Sequence, residues 1–133
     1  MVDINRVLKY AKDFDASDVH LVPGRRPTVR IARDLREIEE EDVLTESDMY
    51  EIYDYFIRGN VERDEIYNET RQLDISHVFD DIRLRVNISS FDEIPIFTMR
   101  LIKNDLPKFE ELGIPDVVRR TMYQPQGLIL VTG

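Results

Sequence analysis

Ile82, Leu84, Val86 and Ile88 alternate strictly with Arg83, Arg85, Asn87 and Ser89, and a period of two over that length leaves the segment little choice but a half-buried strand. One face is core and the other polar. After Phe91-Asp92-Glu93 the chain returns through Ile96 to Ile102, with Phe97, Met99 and Leu101 on one side and Thr98 and Arg100 on the other. The two runs make an antiparallel hairpin. With the turn centred on Asp92-Glu93, Arg85 falls directly opposite Arg100. Like charges in facing positions repel, and an anion between the two guanidinium groups would offset that repulsion, the planar fork of arginine being suited to phosphate. Two readings stand at this level: exposed arginines splayed into solvent, separable by a one-residue slip of register, or a pair that faces an anion.

The hairpin needs more structure around it. Asp3 can cap a first helix in which Ile4, Val7, Leu8 and Ala11 share a face, ending near Asp13-Phe14-Asp15. Val19 to Val22 and Thr28 to Ile31 read as short strands around the turn Pro23-Gly24-Arg25-Arg26-Pro27, and Leu35 to Ile38 as a third strand. Thr45 and Asp48 form a capping-box pattern ahead of Met49, Ile52, Tyr53, Phe56 and Ile57 at helical spacing, and Gly59 ends that helix. A short polar helix over 61–69 follows, then a strand carrying Leu73, Ile75, His77 and Phe79 inward, turned at Asp80-Asp81. These patterns place helices and short strands around the antiparallel hairpin.

Beyond the hairpin, residues 103–115 read as a linker broken by Pro107, Gly113 and Pro115, and a helix with Val117, Val118 and Met122 follows. Leu128-Ile129-Leu130-Val131 is a continuous apolar run ending in Thr132-Gly133. Such a run suits a strand buried on both faces of a parallel sheet, and the chain supplies it no neighbours. A phosphate-binding loop reads G-x-x-x-x-G-K-[ST] directly after a strand of this kind. Here the strand and one glycine, Gly133, are present.

Charge and composition narrow the function. The 133 residues contain no cysteine and two histidines, His20 and His77, which removes thiolate nucleophiles and Cys-based zinc sites; both histidines read as structural. The net charge of −9 argues against a nucleic-acid binder, which needs a basic face. The acidity is concentrated: residues 1–36 carry eight basic and five acidic groups, 37–81 three and sixteen, and 82–133 seven and six. That middle segment is either a solvated face or a surface for a basic partner. No apolar run has the length of a membrane span and no signal-peptide pattern opens the chain, which predicts a cytosolic protein.

Four blocks, in order, resemble the PilT-like ATPases, motors of pilus retraction related to the bacterial secretion ATPases. Ser17-Asp18-Val19-His20-Leu21 with Gly24, Pro27 and Arg30 is similar to the family's opening block, and Arg83-Leu84-Arg85-Val86-Asn87 to its R-F-R-V-N strand. Leu112-Gly113-Ile114-Pro115 resembles the interdomain linker, and Gly127 to Gly133 the segment that continues into P-T-G-S-G-K-[ST]. The chain departs from the family at Arg26-Pro27, where two prolines are usual, and at Arg33, where glycine is usual.

The resemblance implies an α+β fold: a PAS-like N-terminal domain over 1–102, an antiparallel sheet with flanking helices, then a linker over 103–115, and over 116–133 the first helix and strand of a RecA-like ATPase domain cut at Gly133, the first glycine of the P-loop. It implies a homohexameric pilus-retraction ATPase whose N-terminal arginines close over the nucleotide. The positions that match are Arg85 and Arg100. ATP and Mg²⁺ are expected in the full-length protein; the chain alone, without the loop lysine, is expected to bind no cofactor and to be inactive. The implied partners are its own C-terminal ATPase domain, neighbouring subunits and the pilus-base machinery, on the cytoplasmic side of the inner membrane. Pilus-extension and type II secretion ATPases generally carry an additional N-terminal domain, so if Met1 is the natural start, the sixteen residues before Ser17 favour the retraction type. A stand-alone PAS-like adaptor is the alternative from another class.

Overall fold

A computed structural model describes residues 1–133. Its centre is a six-stranded antiparallel sheet made of two consecutive meanders. The first comprises β1 (Asp18–Leu21), β2 (Thr28–Ile31) and β3 (Asp34–Glu37), and the second β4 (Leu73–Phe79), β5 (Ile82–Phe91) and β6 (Ile94–Ile102). The strand order is β3-β2-β1-β6-β5-β4, so β1 and β6 form the seam between the two halves. Three helices, α1 (Ile4–Asp13), α2 (Glu46–Ile57) and α3 (Val61–Thr70), complete the body. The antiparallel sheet with flanking helices that the resemblance implied is what the chain forms.

Local chemistry sets the helix boundaries. Asp3 accepts from the Asn5 backbone N–H at 2.9 Å and starts α1, whose Ile4, Val7, Leu8 and Ala11 are all buried. Thr45 and Asp48 complete the reciprocal capping box of α2, and Met49, Ile52, Tyr53, Phe56 and Ile57 turn inward. Asp48 is itself buried. Besides Thr45 it accepts from the Val2 backbone N–H at 2.9 Å, which ties the N-terminus to α2. Burial pushes this carboxyl up, but the bonds from Thr45 and Val2 outweigh it and hold it below the usual carboxylate range.

One face of the sheet carries the core. Val19, Leu21, Val29, Ile75, Leu84, Val86, Ile88, Phe97 and Met99 meet the helices in a cluster of 24 buried hydrophobic residues. Phe56 packs against Phe97 with ring centroids 5.8 Å apart and edge-on to His77 at 5.1 Å. The opposite face carries the alternate residues and no helix covers it.

Residues beyond β6 have a different character. A 3₁₀ turn at Phe109–Leu112 and the six-residue helix α4 (Asp116–Thr121) are the regular structure there, and none of their side chains is buried. Leu128 to Val131, anticipated as a strand, adopt no regular structure and stay exposed. The physical reason is the lack of adjacent strands: a β-run without hydrogen-bonding neighbours has nothing to offset the entropy of its own ordering. The hairpin turns at Ala32-Arg33, Asp80 and Asp92-Glu93 use left-handed backbone at side-chain-bearing residues. Ala32 and Arg33 take φ 49° and 78°, so Arg33 adopts the left-handed conformation that glycine accepts most readily.

Candidate functional site

The uncovered face of the sheet is ordered in rows. Asp92 and Glu93 occupy the two-residue turn with φ 48° and 68°, the combination of a type I′ hairpin, and this fixes the β5–β6 register. Arg85 consequently pairs directly with Arg100. On the other side of β6, Asp18 of β1 pairs with Arg100, and Arg30 of β2 pairs with Asp18. Directly opposed residues share a face, so Arg30, Asp18, Arg100 and Arg85 form one row across four strands. Arg30 and Arg100 flank the one carboxylate, and Arg85 stands beyond Arg100.

The row is asymmetric. Asp18 Oδ1 accepts from Arg100 Nε at 3.0 Å, while Oδ2 accepts from the Ser17 hydroxyl at 2.9 Å and lies 3.4 Å from Arg30 Nε. The Asp18 side chain is 9% exposed and that of Arg100 72%. Burial pushes the Asp18 carboxyl up, but Ser17 and Arg100 together outweigh it and hold it below its ordinary value. Arg30 is tied a second time, through Nη1 to the Arg33 carbonyl at 3.2 Å. Arg85 is exposed and makes no hydrogen bond or ion pair within the chain. One carboxylate neutralises one of the three cations, so the row keeps a surplus of positive charge at its Arg100–Arg85 end.

That surplus suits an anion with several oxygens, and polyphosphate is the common biological form. The hairpin register is the one predicted from the Asp92-Glu93 turn, with Arg85 and Arg100 on the open face and opposite each other. The chain gathers no group of three or more His, Asp and Glu side chains that could hold a metal ion. Gly133, the third position singled out from sequence, lies at the exposed end of the chain, away from any regular element. Asp18 and Arg30 were not singled out as site residues. Their place in the row depends on β1 pairing with β6, a contact between residues 82 apart, and no local pattern encodes such a pairing.

The histidines fall outside the row. His77 packs inward against Phe56 and Tyr55, with Tyr55 Oη 3.3 Å from its Nε2. Burial, followed by the charges of Arg58 and Arg63, pushes its pKa down, so it is a neutral packing group at pH 7. His20 lines a shallow groove of about 240 Å³ with Val22, Arg25, Thr28 and Arg30, and its buried Nε2 has no hydrogen-bond partner. The acidic stretch is partly internalised: Glu41 is buried and pairs with Arg6 at 2.8 Å, and Arg26 donates to the backbone carbonyls of Glu39 and Glu41. No helix of the chain is long and apolar enough to cross a membrane.

Comparison with known proteins agrees with the sequence resemblance. No protein-family model matches the chain. It is 31% identical over 133 residues to the type IV pilus retractation ATPase PilT of Pseudomonas aeruginosa, a match that covers 99% of this chain and 38% of that protein. Among solved structures, the pilus retraction motor PilT with bound ADP aligns with a TM-score of 0.76 at 25% identity, covering 93% of this chain and 36% of the other. The Legionella pneumophila ATPase DotB aligns with a TM-score of 0.77 at 20% identity over 93% of this chain and 35% of its own length, a likeness of fold. The chain thus spans little more than a third of the length of the proteins it matches.

Proposed function

We propose that this chain, a PilT-like secretion-ATPase N-terminal region by sequence and by fold, serves as the domain that closes over ATP in a pilus-retraction motor. In this reading residues 1–102 form the PAS-like domain, 103–115 the linker, and 116–133 the opening of a RecA-like ATPase domain whose P-loop begins at Gly133. ATP and Mg²⁺ are held by that second domain. Subunits associate as a homohexamer on the cytoplasmic side of the inner membrane, at the base of the pilus.

The observation that carries the proposal is the facing pair Arg85 and Arg100 on an uncovered sheet face. Two guanidinium groups in direct opposition cost energy in the free domain, and the outer phosphate of ATP supplies the charge that offsets them. ADP lacks that phosphate, so ATP favours closure more than ADP does, and the difference in affinity for the two states is what drives the movement. In a ring, alternating closure and release displaces subunits against one another.

The test uses the full-length ATPase. Arg85→Ala and Arg100→Ala should each lower ATP turnover at least tenfold while the thermal transition stays in place, the loss expected for a charge-assisted contact to phosphate. Unchanged turnover in both variants would sink the reading. Intact mass of the endogenous protein, captured with an antibody against residues 1–100, should greatly exceed the 15.8 kDa of this chain.

A further inference from the structure

A carboxylate on the open face of a sheet has no obvious reason to be buried. Exposed ion pairs contribute little to stability, and the neighbouring outer-face residues Arg83, Arg85, Thr98 and Arg100 are exposed. Asp18 differs in being enclosed by its own partners, Ser17, Arg30 and Arg100, with both oxygens used. Its bond to Arg100 is made through Nε alone. The two Nη nitrogens of Arg100 have no partner in the chain, and they form the edge of the guanidinium best shaped for bidentate contact with a phosphate. Arg30, by contrast, is fixed at both Nε and Nη1.

We propose that Asp18 is the positioning residue of the arginine pair, holding Arg100 by its Nε edge so that the Nη edge stands beside Arg85 and meets the outer phosphate of a nucleoside triphosphate. This rests on the phosphate-facing reading of the pair given above. A flexible arginine loses rotamer freedom when it binds. Asp18 removes that freedom beforehand, and Ser17 and Arg30, at its other oxygen, hold the carboxylate in place. The residue touches no substrate in this scheme. Its effect reaches the nucleotide through Arg100, and therefore only where a third phosphate is present.

The experiment measures ATP and ADP affinity, KM and kcat in the full-length ATPase for Asp18→Asn, Arg100→Ala and the double variant. Asp18→Asn should weaken ATP binding about tenfold and leave ADP binding unchanged, and it should add nothing in the Arg100→Ala background. Equal losses for ATP and ADP, an undiminished effect of Asp18→Asn when Arg100 is already absent, or no loss at all would overturn the proposal. The two levels separate cleanly: if Arg100→Ala itself leaves the preference for ATP intact, the phosphate-facing reading fails first. Should Asp18→Asn not fold, the wild-type protein still decides the matter through the Nε–H resonance of Arg100. It should keep its position when ATP binds while the Nη protons shift; an Nε resonance that moves to the solvent-exposed value means that Asp18 has let go, and the proposal fails.

Discussion

The two faces of the sheet are made by the same strands and obey opposite rules. On the inner face Leu84, Val86, Ile88, Phe97 and Met99 are buried and mutually enclosed; on the outer face Arg85, Thr98 and Arg100 stand in solvent. Apolar packing is concentrated on the first and the ionic row lies on the second. A residue can therefore be lost from the outer row at small cost to folding, whereas its neighbour in sequence cannot be changed without reshaping the core. This separation lets a domain of this size carry uncompensated positive charge.

Substitutions can break or sharpen that contrast. The largest effect is expected inside: Phe97→Ala should destabilise the chain by about 3–5 kcal/mol in denaturant unfolding, because Phe97 is 1% exposed and packs against Phe56. Next comes Asp48→Ala, at about 1–3 kcal/mol, since it strips the backbone N–H groups of Val2 and Thr45 of their acceptor. The same carboxylate gives a pH signature. Its folded pKa is depressed, so its contribution is complete above the unfolded value of about 3.9 and is lost as pH falls through the folded value. Unfolding midpoints measured from pH 6 to pH 2 should decline less steeply in Asp48→Asn than in the wild type.

On the outer face the expected effects are smaller and one has the opposite sign. Arg85→Glu should stabilise the chain by about 0.2–1 kcal/mol, because a carboxylate facing Arg100 replaces a like charge. Arg85→Ala should shift stability by less than about 0.5 kcal/mol in either direction. A loss above 2 kcal/mol in Arg85→Ala would mean that the outer face is structural after all, and the contrast between the faces would collapse.

Much of this organisation is legible in sequence because it is local. Alternation over 82–89 and 96–102, helical spacing in 4–11 and 49–57, and the Thr45–Asp48 box each act within a few residues, and the hairpin turn at Asp92-Glu93 fixed the register of Arg85 and Arg100 in advance. What sequence reading missed is non-local. The seam between β1 and β6, which recruits Asp18 and Arg30 into the row, joins segments with no shared pattern. The apolar run 128–131 has the composition of a buried strand, but it adopts no regular structure here because strand formation needs hydrogen-bonding neighbours that residues 1–127 do not provide.

The seam also has a kinetic meaning. Each meander can form from contacts close in sequence, but joining them requires closing a loop of about 80 residues, and chain entropy makes such long-range pairings slow. Asp18 and Arg100 lie on opposite sides of that last junction. The arginine row is therefore completed only when the two halves of the sheet have met, so a nascent or half-assembled chain would present Arg85 and Arg100 without the carboxylate that arranges them.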